Sequence, residues 1–486
     1  MRPLKMERIF SGIRLERKVF TSKANLMLGL ASGLVLSGIL PLMLLNDTIN
    51  SSRSEAWILT TIVMIVSGIR LSFLIAFARP RLFEFITWLF SYVFFGLAAT
   101  VQLRSGDMAG TTPNLDPSLD TPAAIMVIVG LLSLLAGITF ARRKTSKKRA
   151  IYRSYEVSES RANILMVIGI GCAVYYMSKI GFDNFLKSRE NFNLILSSNW
   201  PDVSTLAMVK AMAIYPLLVA SHAIFIAKTN VSGHSSKKGV RRIKGIIAAV
   251  IVMFITNPIS TARYVFGSVW GGYLLPLGAY ASRIRTSISM LVIVFGLLFI
   301  FPIADVFRYT RDSTVSRSSF FGEYAGNGDY DAFGQISNTL SYIDDRGITW
   351  GNQFLGVVLF WIPRGIWSDK AQDTGVLLGE YRGYGFTNLS APLWSESLIN
   401  FGVVGLIVVF LLFGVLVGRL DLAGTLALSR GSFALLPMAI LPFYLLIVLR
   451  GSLLQATGSF VVMVLCMYFV RGKENPRLRS SDSRSS

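Results

Sequence analysis

Apolar runs of about twenty residues recur along this chain from Leu26 to Val470, and they restrict its fold more than any other feature. Wound as a helix rising about 1.5 Å per residue, each run crosses a hydrocarbon layer about 30 Å thick. Within that layer the backbone must satisfy its own hydrogen bonds, which leaves helices or closed barrels. The runs occupy 26–45, 57–77, 83–101, 123–141, 162–180, 206–227, 244–257, 265–281, 287–307, 397–417, 433–449 and 452–470. The 486 residues are 52% hydrophobic and 15% charged, against roughly 25% charged in soluble domains. The pattern predicts an all-α polytopic membrane protein with about twelve transmembrane helices. No cleavable signal is expected, because the N-terminal stretch is polar and basic and the first run lacks a small-residue cleavage site.

A net charge of +21 would point to nucleic acid in a soluble protein. Here the placement of the charges decides. An even number of spans puts both termini on one side, and roughly two-thirds of the 48 lysines and arginines fall there. They include Arg142-Arg143-Lys144 and Lys237-Lys238. That side reads as cytoplasmic, and no nucleic-acid partner is expected. The chain divides into a basic tail (1–25), spans one to nine (26–307), a large extracytoplasmic loop (308–396), spans ten to twelve (397–470) and a disordered tail (471–486). Cys172 and Cys466 lie in apolar runs and offer no disulfide framework. No GxxxxGK(S/T) run is present, so no ATP hydrolysis is expected, and no metal-ligand cluster stands out, so no metal or other cofactor is expected.

Chemistry then falls to the outer face. Segment 102–122 reads as a flexible connector, and Asn257-Pro258 as the turn of a broken or re-entrant helix pair. Short loops suffice between membrane helices, so the long loop carries the work. Within it, the apolar stretch Phe354–Ile362 is too short to cross and suits an interfacial helix. Outer cations Arg189, Arg263, Arg308, Arg311, Arg364 and Lys370 run against the charge bias, and guanidinium forks match phosphate oxygens. The ordinary reading is pairing with carboxylates or headgroups. Base candidates are Asp312, Glu190, Asp369, Glu380 and Glu396. Placed at a helix start and partly buried, Glu396 would hold a proton more readily and serve better as a base. Its ordinary reading is a carboxylate favoured by the helix dipole. Trp361, Trp367 and Trp394 with Asn388 are the candidates for sugar contact, against an ordinary interfacial aromatic belt. Asp329 and Asp331 have calcium-loop spacing but lack the Gly and distal Glu. Stretch 313–345 reads mainly as specificity surface.

Ile362-Pro363-Arg364-Gly365-Ile366-Trp367-Ser368-Asp369-Lys370 resembles the Pro-Arg…Trp…Lys segment of the bacterial oligosaccharide repeat-unit (O-antigen) polymerases. Asn388-Leu389-Ser390-Ala391-Pro392…Glu396…Asn400-Phe401-Gly402…Gly405 is similar to that family's closing segment, and Arg189 and Arg263 fall where it places arginines. Trp394-Ser395 departs from it, standing where a Gly often precedes the Glu. The resemblance implies a glycosyltransferase in the bacterial cytoplasmic membrane. It would join polyprenyl-pyrophosphate-linked repeat units on the outer face, with lipid-linked oligosaccharides and membrane lipids as partners, alongside a chain-length regulator and a flippase. Loss of polymer with intact protein is then expected for Arg364→Ala and Arg263→Ala. Three other readings compete. An O-antigen ligase would use an outer histidine, and His222 and His234 both fall on the inner side. A flippase would line a path with intramembrane charge such as Arg70, Lys179 and Lys210. A non-catalytic envelope scaffold is the third.

Overall fold

Each apolar run is wound at least in part into helix in the computed structural model, which describes residues 22–48, 53–147, 155–227, 235–303, 320–430 and 433–474. The first part of the chain forms α1 (Lys23–Asp47), α2 (Trp57–Phe77), α3 (Leu82–Ser105), α4 (Asp120–Lys147) and α5 (Glu159–Ile180). Then come α6 (Arg189–Asn199), α7 (Val203–Ile226), α8 (Ser235–Ile255), α9 (Arg263–Gly272) and α10 (Arg283–Ile300). The polar excursion carries α11 (Ala332–Arg346), α12 (Asn352–Val358) and α13 (Thr374–Arg382). The chain closes with α14 (Leu393–Arg430), α15 (Leu435–Arg450) and α16 (Leu453–Phe469). Among the described residues, eight helices are long and apolar enough to cross a membrane, namely α1 to α5, α7, α10 and α14. The chain is a helical, multi-pass membrane protein.

Helix α3 is the centre of the bundle. It is buried on every face and mostly apolar, as suits a helix enclosed by others, and Phe85, Phe90, Phe94 and Phe95 are all fully buried. Trp394 from α14 closes this aromatic cluster, its ring 4.6 Å from that of Phe95 and 4.3 Å from that of Phe410. Helices α4 and α14 cross at bare backbone. A Cβ on Gly137 would stand 2.1 Å from the Leu411 carbonyl oxygen, and one on Gly414 2.2 Å from that of Leu134. Small residues at a membrane crossing let backbones approach where no hydrophobic force between helices exists. Gly414→Val is therefore expected to destabilise the bundle by about 1–3 kcal/mol through overpacking. A lowered unfolding midpoint in detergent would register it, and an unchanged midpoint would remove the crossing from the account.

Two short strands depart from the all-helical expectation. β1 (Tyr155–Val157) pairs antiparallel with β2 (Arg471–Glu474), and Arg471 lies over the Tyr155 ring. Arg471 to Glu474 is thus ordered strand, where the sequence suggested the start of a disordered tail; residues 475–486 lie outside the described residues. The segment 102–122 also differs from the expected flexible connector. Gly110 N donates to Gly326 O at 2.8 Å, Arg382 Nη2 to Asn114 O at 2.6 Å, and Tyr384 Oη to Pro113 O at 2.9 Å. It is sewn to the long excursion.

Candidate functional site

The site begins with a break in α14. At Gly402 (φ 64°, ψ −158°) the helix is interrupted, a conformation glycine reaches without a Cβ penalty. The interruption frees carbonyls one turn earlier, and the excursion answers them. Thr349 N donates to Ile399 O at 2.8 Å, Gly351 N to Asn400 O at 3.1 Å, and Phe354 N to Asn400 Oδ1 at 3.0 Å. These bonds seat α12 beside the break, where the sequence placed a short apolar helix. Trp350 is held between them in the left-handed region (φ 50°).

From α12 the chain turns through residues 362–370, and two cations close this segment. Lys370 Nζ donates to Phe360 O (2.6 Å) and Ile362 O (2.9 Å). Arg364 donates from Nη1 to Lys370 O (2.7 Å) and from Nη2 to Ala371 O (3.1 Å). Burial, and then the Arg364 guanidinium, hold the Lys370 amine below its ordinary pKa. Arg364 remains exposed, and Trp361 is 66% exposed while Trp367 is half-buried.

Two residues beyond Ala371, Asp373 caps α13 by accepting from Gly375 N at 2.9 Å. That uses Oδ1 alone. Oδ2 is buried and has no hydrogen-bond partner, although the Ser452 and Gln455 side chains lie close. Burial raises the Asp373 carboxyl above the ordinary carboxylate range, and these neighbours only partly offset it. Thr374, the next residue, donates Oγ1 to Glu396 Oε2 at 2.9 Å. Ser452 Oγ (3.1 Å) and Leu453 N (2.9 Å) donate to Glu396 Oε1. Glu396 therefore caps the start of α16 from inside the protein, and it lies within electrostatic reach of Asp373. Asn388 stands exposed at the rim, accepting from Gln455 Nε2 at 3.3 Å.

Below this rim the excursion is pinned by charge. Asp329 is ion-paired with Arg263, whose Nη1 also donates to Phe301 O, and Arg450 reaches Asp331 at 3.2 Å. Arg263 lies over the Phe301 ring and Arg450 over that of Tyr264. Asp331 Oδ2 accepts from Ser390 N at 3.1 Å, joining the cluster to the strand of chain that leads to Glu396. Within the described part of 313–345, the stretch from Asp329 to Thr339 is thus a buried foundation, not an outward specificity surface. Ala332 to Thr339 are enclosed, and exposure begins further along α11. The Asp329/Asp331 spacing serves two arginines. Among the described residues no group of three His, Cys, Asp or Glu side chains is placed to hold a metal ion.

The structure brings the segment holding Trp361, Arg364, Trp367 and Lys370 to Glu396 through Ala371 and Thr374, and Gln455 ties in Asn388. Other expected residues fall elsewhere. Trp394 is fully buried against Phe95 and Phe410 and donates Nε1 to Val127 O at 3.3 Å, so no ring face is open to a sugar. Arg263 is spent on Asp329, and its guanidinium is enclosed rather than offered to phosphate. Arg189 starts α6, in electrostatic reach of Lys210. Arg308, Arg311 and Asp312 lie outside the described residues. No family model, curated protein or solved structure matches the chain. Sequence reasoning missed Asp373, because an Asp followed by Thr before a helix reads as an ordinary N-cap. Only its second, unused oxygen distinguishes it.

Such an arrangement can accept a proton and meet a polar substrate. Asp373 is half-buried, with its Oδ2 enclosed but without a hydrogen-bond donor, whereas all the polar capacity seen on Glu396 is taken up by Thr374, Ser452 and Leu453. Amide, hydroxyl and indole groups beside them are the usual contacts for sugar hydroxyls and ring faces.

Proposed function

We propose that the chain is a polysaccharide polymerase of the outer face of the bacterial cytoplasmic membrane, joining oligosaccharide repeat units carried on polyprenyl pyrophosphate. The observation that carries this reading is the juxtaposition of Asp373 and Glu396 with the cation-closed loop Pro363–Ala371 on a multi-pass helical body. The membrane body suits a lipid-borne donor, and an activated pyrophosphate needs no cytoplasmic energy-supplying domain. An acceptor sugar hydroxyl attacks the donor's anomeric carbon, forming the new C–O bond. The bond from that carbon to the pyrophosphate oxygen breaks, and polyprenyl pyrophosphate leaves with the electron pair. Asp373 takes the hydroxyl proton, and Glu396 orients it through Thr374 and Ser452. Arg364 meets the pyrophosphate charge as it develops; Lys370, whose amine is already committed to two carbonyls, sets the loop's shape.

In this reading twelve spans place both termini in the cytoplasm. The contacts agree with that topology. The β1–β2 ribbon joins two segments assigned inside, while Arg263–Asp329 and Arg382–Asn114 each join segments assigned outside. Of the three intramembrane charges that the flippase alternative would use, Arg70 is bonded to Glu84.

Arg364→Ala is expected to cut polymer in cells by roughly 10²-fold or more while protein abundance holds, the loss typical of one charge-stabilising donor. Polymer of normal amount and length in that variant would remove the loop from the mechanism.

A further inference from the structure

The end of the bundle opposite the carboxylates holds a charge cluster that this function does not use. Glu84, fully buried in the first turn of α3, accepts on Oε1 from Arg70 of α2 and on Oε2 from Arg142 of α4. Asp421 of α14 accepts from Phe83 N and Glu84 N, both at 3.0 Å, which occupies one oxygen for each amide. Each of the four carboxylate oxygens thus already has a donor. Arg81, in the turn between α2 and α3, faces this group with Arg79 beside it, yet among the described residues its side chain makes no hydrogen bond or ion pair. Burial, reinforced by the Arg142 guanidinium, pulls Arg81 down to about 10. Four guanidiniums thus surround two carboxylates, and positive charge is left unmatched where helices end.

We infer that Arg79, Arg81 and the free edge of Arg142 form a binding site for the phosphate of an anionic phospholipid headgroup on that side of the membrane. Charge complementarity requires an anion, and Arg142 keeps unused donors beyond the single one spent on Glu84. The position supplies the lipid. Phe73 and Phe77 on the last turns of α2 are exposed on the bundle surface, so acyl chains can lie beside a headgroup held at the turn. Basic pockets between helices at a membrane surface bind anionic headgroups by this combination.

The test reconstitutes the full chain in nanodiscs of phosphatidylcholine with phosphatidylglycerol and counts retained lipids by native mass spectrometry. Wild type is expected to retain phosphatidylglycerol selectively. Arg81→Gln should weaken that retention roughly tenfold, and Arg81→Lys should largely preserve it. Should Arg81→Gln fail to fold, the exposed Arg79→Gln is read instead, with a loss of several-fold expected. Equal retention by wild type and the Gln variants would overturn the site. Equal thermal protection by inorganic phosphate and by phosphatidylglycerol would overturn its assignment to a lipid.

Discussion

Asp373→Asn is expected to lower chain elongation by about 10²–10⁴-fold, the usual contribution of a positioned general base, with abundance and unfolding midpoint unchanged. The substitution keeps the helix cap, because an Asn oxygen still accepts from Gly375 N, as Oδ1 does at 2.9 Å. It removes only the carboxylate whose Oδ2 is unpartnered. The sign of the pH dependence follows. A base must be ionised, and burial raises the Asp373 carboxyl. Elongation should therefore rise with pH through a limb above the ordinary Asp value of about 3.9, and Asp373→Asn should lose that limb. Elongation in Asp373→Asn within a few-fold of wild type would assign the proton elsewhere.

Arg263→Ala is expected to destabilise the protein by about 3–5 kcal/mol, the cost of stranding a buried charge. Asp329 would lose its nearest ion pair, and Phe301 O its donor. The sequence had suggested lost polymer with intact protein. The structure changes the expected failure to lost protein, measured as membrane abundance and as unfolding in detergent. Because the pair is shared, Arg263→Met with Asp329→Leu should be less damaging than the sum of the two single changes. Full abundance of Arg263→Ala with polymer abolished would return the residue to the substrate.

The membrane body was legible because hydrocarbon thickness writes itself into run length, as in Trp57–Phe77 and Leu82–Ser105. Some neighbourhoods were legible too: Arg364 and Lys370 are joined through Ala371 and Thr374 to Glu396, and Gln455 ties Asn388 to the same group. Partnership was not. Arginine type alone cannot separate Arg364, exposed and bonded to carbonyls, from Arg263, enclosed by Asp329. Nor can tryptophan type separate Trp361, at the surface, from Trp394, in the α3 cluster. Both distinctions depend on long-range packing, the latter on an aromatic cluster about three hundred residues upstream. Asp373 was hidden by its own cap, and the break in α14 by an apolar run that continues through Gly402.

The most direct measurement is elongation by the purified chain in detergent, supplied only with a defined repeat unit on polyprenyl pyrophosphate. The predicted result is a ladder of lengthening glycans, with one polyprenyl pyrophosphate released for each repeat joined. Neither ladder nor release from folded protein, together with transport of the same lipid-linked repeat across liposomes, would contradict the account.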